Sequence, residues 1–325
     1  MLRLEETPTT ERPGIRQGAR RRVPPGAVWV ALLVVVLLSL DVIDLVWIGV
    51  VVPVAALVVA VAQGHRPPHG VRWVKRTVDR QDFVALGGFY VGVVGLFRLA
   101  FEGFGTDRVA GLFVSFAAGL LLGVAGPVIY MVWHRRRRLR DLGIGTHRLR
   151  ATVALGSVLA GMQFVMTLWG YDLPKPVNWV PLLVMSLVVG AFEAVFFRGF
   201  VQGRLEASFG TAPAVGGAAA LYSVYHVGYG MGAEEMVFLF GLGVVYAIAF
   251  RLVENVLVLW PLLTPLGAFF NNLEAGDIEL PWTSIAGFVD VAVVMAVVVL
   301  LARRHERRRD NRTHEPTKIR EPAPV

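Results

Sequence analysis

Cysteine is absent from the 325 residues, which excludes disulfides and cysteine-ligated metals. Charge is also scarce: Asp, Glu, Lys and Arg make up 17% of the chain against 55% hydrophobic residues, and the mean hydropathy is +0.59. A soluble domain of this length is less apolar and lacks long uncharged runs. No H-E-x-x-H occurs, so the commonest helical zinc-hydrolase motif is missing. No short-period repeat stands out either. What is present is a series of apolar runs divided by short charged clusters, the pattern of an all-α, polytopic transmembrane helical bundle.

Taken in order, residues 1–25 are polar and rich in Pro and Arg, ending in RQGARRRVPPG; this composition predicts a disordered basic arm. Residues 27–62 are apolar except for Asp41 and Asp44, too long for one span of about 20 residues and divisible into two at DVID. Further spans are expected near 83–101, 109–133, 151–169, 178–200, 212–230, 235–252, 254–271 and 283–302, about ten in all. The strongest basic loop is HRRRRLRDLGIGTHRLR at 134–150, and the Lys/Arg bias of the loops places both termini in the cytoplasm. The net charge of +8 is thus read as a topology determinant facing a lipid bilayer, with no nucleic-acid partner. The expected organisation is the arm at 1–25, transmembrane helices over 26–135, a functional core over 136–303 and a disordered basic tail over 304–325. A chain rich in Gly, Ala, Val and Arg and without Cys suits a bacterial plasma membrane.

Ionisable side chains inside apolar spans are costly and mark functional sites. Glu193 lies in VVGAFEAVFFRGF, with Arg198 five residues on, and His226 lies in ALYSVYHVGYG. Of the seven histidines, His226 is the one expected within a span; the others fall in loops or tails. At 3.6 residues per turn Glu193 and Phe197 share a face, while Arg198 is rotated by about 140° and is close enough to the helix end to snorkel. Tyr222 precedes His226 by one turn, so both point the same way. Asn271 and Asn272 close the stretch in GAFFNNL. Arg98 in the third span either pairs with a nearby acid or snorkels, with snorkelling expected, and Asp290 in the last span reads as a buried structural acid.

These residues resemble the CAAX prenyl endopeptidase and bacteriocin-processing (CPBP, or Abi) family, whose pattern is E-E-x-x-x-R on one helix, F-x-x-x-H on the next and H-x-x-x-N or -D on a later one. Here the first element is Glu193-Ala194-Val195-Phe196-Phe197-Arg198 followed by Gly199-Phe200, and the second is Tyr222-Ser223-Val224-Tyr225-His226. The third region has the Leu259-Trp260-Pro261 lead-in and ends in Asn271-Asn272. The resemblance covers roughly residues 140–300. Two departures stand out. Ala194 replaces the second Glu, and Ala268 or Gly267 stands where the second His would be.

The resemblance implies an intramembrane endopeptidase in which Glu193 activates water, while His226 and Asn272 or Asn271 hold that water or the oxyanion, supported by Arg198 and Tyr222. The substrate would be a membrane-associated peptide or protein. Such chemistry needs a general base and an oxyanion donor, and loss of one donor typically lowers the rate by about 10²–10³. The missing His therefore leaves two outcomes open: weakened or lost catalysis, or substitution by another donor such as Tyr225 or Tyr229. A catalytic zinc takes three protein ligands, and only Glu193 and His226 offer themselves here. No cofactor is therefore favoured over a glutamate mechanism. The alternatives are a catalytically degenerate scaffold or regulator, and a small proton-coupled transporter using Glu193 and Asp290, against which the missing twofold repeat counts.

Overall fold

The computed structural model describes residues 79–105, 108–157, 176–259 and 283–313. The described residues are helical and contain no strand. Helix α1 (Arg80–Phe104) begins at Asp79, whose side chain accepts the Gln81 N–H as an N-cap, and its last turn is π-helical over Leu99–Phe104. Helix α2 (Val109–His134) contains π-helical stretches at Ala117–Ala125 and Tyr130–His134. Pro127 lies between these stretches. It lacks an N–H to continue an α-helical ladder, and local π-helical adjustment is one way a membrane helix accommodates that loss.

The next apolar helix is composite. Helix α3 (Pro176–Glu193) runs into a π-helical stretch (Ala194–Gln202) and then into α4 (Gly203–Phe209). Gly210, at φ +88°, breaks the chain before α5 (Thr211–Val224). That helix has 14 residues, or about 21 Å, short of the roughly 30 Å hydrocarbon core. A 3₁₀ turn (Tyr225–Tyr229) extends it. Helix α6 (Ala233–Val253) packs closely on α5. A Cβ on Gly243 would come within 3.1 Å of the Ala219 Cα, so the small residue is what allows the approach. Helix α7 (Thr283–Thr313) has 31 residues.

Four described helical stretches are long and apolar enough to cross a membrane: Arg80–Phe104, Val109–His134, Leu182–Phe209 and Glu235–Val253. The two spans expected in 27–62, most of those expected at 151–169 and 254–271, and both termini lie outside the described residues. Where the 254–271 span was expected to start, Glu254 takes a left-handed conformation (φ +55°) and a 3₁₀ turn follows at Val256–Val258. There Asn255, fully buried, donates to the Gly145 and His147 carbonyls and accepts the Leu257 N–H.

Three local expectations are corrected. Arg98 takes the pairing that was the less expected alternative: it pairs with Glu102 one turn on and donates to the Val227 carbonyl at 3.1 Å. Asp290 is exposed on the outer face of α7. The neighbouring Phe288, Val291, Ala292 and Met295 turn toward the core, and the helical period carries Asp290 away from it. The tail expected to be disordered from 304 is helical as far as Thr313. It is held by Arg138–Asp310 at 3.2 Å, by Leu139 N–H donating to Glu306, and by Arg309 donating to the Arg136 carbonyl at 2.6 Å.

One apolar core joins α1 and α2 to the later helices. Phe192, Phe196, Phe197 and Phe200 are buried at its centre. Phe97 and Phe89 of α1 pack against Phe192 (tilted) and Phe200 (edge to face) with ring centroids 5.7 Å apart in both pairs. At one end, Asp82 ties the same helices together through Tyr130 (2.8 Å), Arg135 (2.9 Å) and Arg204 (3.2 Å).

Candidate active site

Glu193 stands at the junction where α3 gives way to the π-helical stretch. It is half-buried. The Tyr222 hydroxyl donates to its Oε2 at 3.3 Å, and the Tyr225 hydroxyl donates to its Oε1. Tyr222 lies in the last turn of α5 and Tyr225 opens the 3₁₀ turn. Side chains three residues apart are neighbours on a helix face, which explains how two hydroxyls from one short segment converge on one carboxylate. Each carboxylate oxygen has two lone pairs, so both retain capacity for a water.

His226 lies beside this pair. Its ring is 4.0 Å from that of Tyr225 and 5.1 Å from that of Tyr222, centroid to centroid. Its Nδ1 is 2.8 Å from the Tyr222 carbonyl. A carbonyl only accepts, so Nδ1 carries the proton, and in the neutral ring Nε2 is then the acceptor nitrogen. The expectation that Tyr222 and His226 share a face holds. Phe197 also lies on the Glu193 side, 4.7 Å from Tyr225 and 5.4 Å from Tyr222 between ring centroids.

Arg198 differs from expectation. It does not snorkel but is 1% exposed. Its guanidinium carbon lies 4.9 Å from the Tyr222 ring centroid and 5.8 Å from that of Tyr246. The rotation expected at 3.6 residues per turn does not apply, because the intervening stretch has i→i+5 hydrogen bonding, which brings residues five apart nearer one face. Tyr222 therefore links the two charged groups, with its hydroxyl on Glu193 and its ring against Arg198. Both terminal nitrogens of Arg198 lack a hydrogen-bond partner among the described residues, and the aromatic faces supply cation–π stabilisation instead.

Asn271 and Asn272 lie outside the described residues. Of the two tyrosines offered by the sequence as substitute donors, Tyr225 is at the carboxylate. Tyr246 was missed by the sequence reading. It is one aromatic among many in an apolar helix, and nothing in its spacing signals the Arg198 contact. Among the described residues, Glu193 is surrounded by phenols and one imidazole, and no group of three His, Cys, Asp or Glu able to hold a metal occurs.

The turn carrying Tyr225 and His226 is fixed from α1. Arg98 donates to the Val227 carbonyl at 3.1 Å, and Tyr90 donates to the Leu221 carbonyl at 2.9 Å. A Cβ on Gly228 would come within 3.2 Å of the Phe97 Cβ and 3.3 Å of the Val94 carbonyl oxygen, so a bare backbone is needed at that crossing.

The helices and the buried polar cluster define an all-helical integral membrane protein. Within it, residues 175–262 match the family model described as Rce1-like, type II CAAX prenyl endopeptidase. The match bears out the resemblance over a shorter stretch than expected: it takes in Glu193, Arg198, Tyr222 and His226 and stops before Asn271 and Asn272. No curated protein and no solved structure matches the chain.

Proposed function

We propose that the protein is an intramembrane endopeptidase that hydrolyses peptide bonds of membrane-associated peptides or proteins with a water activated by Glu193. The observation that carries this reading is the half-buried Glu193 carboxylate held by two phenolic O–H groups beside His226, inside the segment that matches a CAAX endopeptidase family. Glu193 takes a proton from water as the oxygen attacks the scissile carbonyl carbon. Once protonated, its oxygens accept more weakly, which releases the Tyr225 hydroxyl to donate to the developing oxyanion. Collapse of the tetrahedral intermediate expels the amine, which receives the proton from Glu193. The products are one carboxylate and one amine. The Nε2 acceptor of His226 orients the water. Arg198, against the Tyr222 ring, favours that phenol as a hydrogen-bond donor.

A second reading has specific support. Ala194 and the absent second histidine remove two groups of the family pattern, and both Glu193 oxygens already accept a tyrosine O–H. A scaffold without catalysis would keep this packing. The deciding experiment is peptide release from a membrane-substrate pool by purified protein, with and without a chelator, comparing the wild type with Glu193→Gln. Cleavage that is lost in the variant and survives the chelator supports the glutamate mechanism. Loss on chelation replaces it with a metal mechanism. No cleavage by either protein, with both folded, favours the scaffold.

A further inference from the structure

Away from Glu193, the basic ends of α2 and α7 enclose a cleft of about 390 Å³ lined by Trp133, Arg136, His305, Arg308 and Arg309. We propose that this cleft binds the phosphodiester headgroup of an anionic membrane phospholipid.

Among the described residues the lining holds three guanidiniums, an imidazole and an indole, and no acid. Two acids of α7 close by have partners outside the lining: Asp310 pairs with Arg138, and Glu306 accepts the Leu139 N–H. The described lining is therefore net positive. Arginine groups suit phosphate oxygens by charge and by their planar donor fork.

Depth selects the source of the phosphate. The apolar span of α2 ends at His134, immediately before the run Arg135–Arg138. The last apolar residues of α7 are Leu300, Leu301 and Ala302, followed by RRHERRR. The cleft thus lies where two apolar stretches reach the lipid headgroup level. Trp133, 38% exposed, stacks at a tilt on His305 with centroids 5.7 Å apart; tryptophan favours that depth. The backbone is also committed to the arrangement. Arg136 holds a left-handed conformation (φ +52°), and its carbonyl accepts from Arg309 at 2.6 Å. A bulky non-glycine residue takes that conformation only when its surroundings impose it. Basic pockets between transmembrane helices at the membrane surface are a known mode of headgroup recognition.

The test uses the full chain in nanodiscs of phosphatidylcholine doped with phosphatidylglycerol, followed by mild detergent extraction and mass spectrometry of the retained lipid. Wild type should retain phosphatidylglycerol over phosphatidylcholine. Arg136→Gln and Arg308→Gln should each lower that retention about fivefold, the weight of one basic residue near an anionic surface. Arg304→Gln removes the same charge outside the lining and should change it little. Excess inorganic phosphate should leave the lipid in place. Equal loss in Arg304→Gln would reduce the effect to diffuse charge and overturn the proposal. Displacement by inorganic phosphate would make it a soluble-anion site, and equal retention of phosphatidylcholine would remove headgroup recognition; either result also overturns it. The readout is independent of proteolysis, so it stands or falls apart from the Glu193 reading.

Discussion

Tyr225→Phe is the sharpest perturbation of the proposed mechanism, because it deletes one oxygen and leaves the ring. The ring is tightly held, with centroids 4.7 Å from Phe197, 5.9 Å from Phe192, 6.3 Å from Phe97 and 4.0 Å from His226. Phenylalanine keeps those contacts. The stability change is then the lost bond to the carboxylate, about 1.5–3 kcal/mol for a hydrogen bond to a charged group, reduced because Glu193 retains the Tyr222 hydroxyl. The rate effect should be larger. An oxyanion donor contributes about 10²–10³, and with no second histidine in the expected position, the Tyr225 hydroxyl is the donor at hand. Tyr222→Phe should cost less, no more than about tenfold, because its 3.3 Å bond is longer than a normal O–H···O contact. The assay is initial-rate peptide release by protein reconstituted in vesicles, with thermal melts run in parallel. A Tyr225→Phe enzyme that melts like wild type and keeps kcat/KM within about threefold would refute the donor role.

Arg198→Met should separate stability from function. The guanidinium is buried, and its terminal nitrogens lack hydrogen-bond partners among the described residues. Replacing a desolvated charge by an apolar side chain of similar length is often neutral or stabilising, offset here by about 1–2 kcal/mol of cation–π attraction. Tm should hold within a few degrees while activity falls at least about tenfold; a large drop in Tm with activity intact would assign Arg198 a purely structural role. At the basic end of the bundle, Asp79 holds its carboxyl below the ordinary 3.8: burial pushes it up, but the Gln81 N–H and the Arg135 guanidinium outweigh that. A depressed folded value means that its stabilisation is complete above the unfolded value and is lost as pH falls through the lower folded one. Asp79→Asn should therefore lower Tm at pH 7 and have little effect at pH 2, measured by thermal melts; an equal deficit at both pH values would place its role in capping α1 alone.

The parts of this site that were legible in the sequence were those where a polar residue interrupts an apolar run. Glu193, Arg198 and His226 stand out because lipid penalises them, and Tyr222 follows from its one-turn spacing to His226. The misread geometry shares a cause. A period of 3.6 residues was applied across Ala194–Gln202, where the helix is π, and no residue pattern announces that change of hydrogen-bond register. The orientation inferred for Arg198 failed on that assumption, whereas Phe197, only four residues from Glu193, survived it. Asp290 was misread because apolar flanks do not tell a core face from a lipid face when both are apolar. Arg98 was legible as a charge without a named partner; Glu102 lies just beyond the expected span end at 101, and α1 extends past it.

What no sequence pattern could supply is that the catalytic candidates are positioned from outside the matched segment. The family match begins at 175, yet the turn bearing Tyr225 and His226 is held by Tyr90, Arg98 and Phe97 of α1. Phe97 also packs on Phe192, which precedes Glu193 in the chain, and on Tyr225, which donates to its carboxylate. A short helix of small residues such as α5 has little side-chain bulk with which to fix its own end, and the 3₁₀ turn after it has weaker hydrogen bonding than an α-helix. Rigid placement of two phenols on one carboxylate therefore needs an external wall, and α1 is that wall. The residues that perform the proposed chemistry and the residues that hold them in place belong to different parts of the chain, so the matched segment by itself would carry the motif without its geometry.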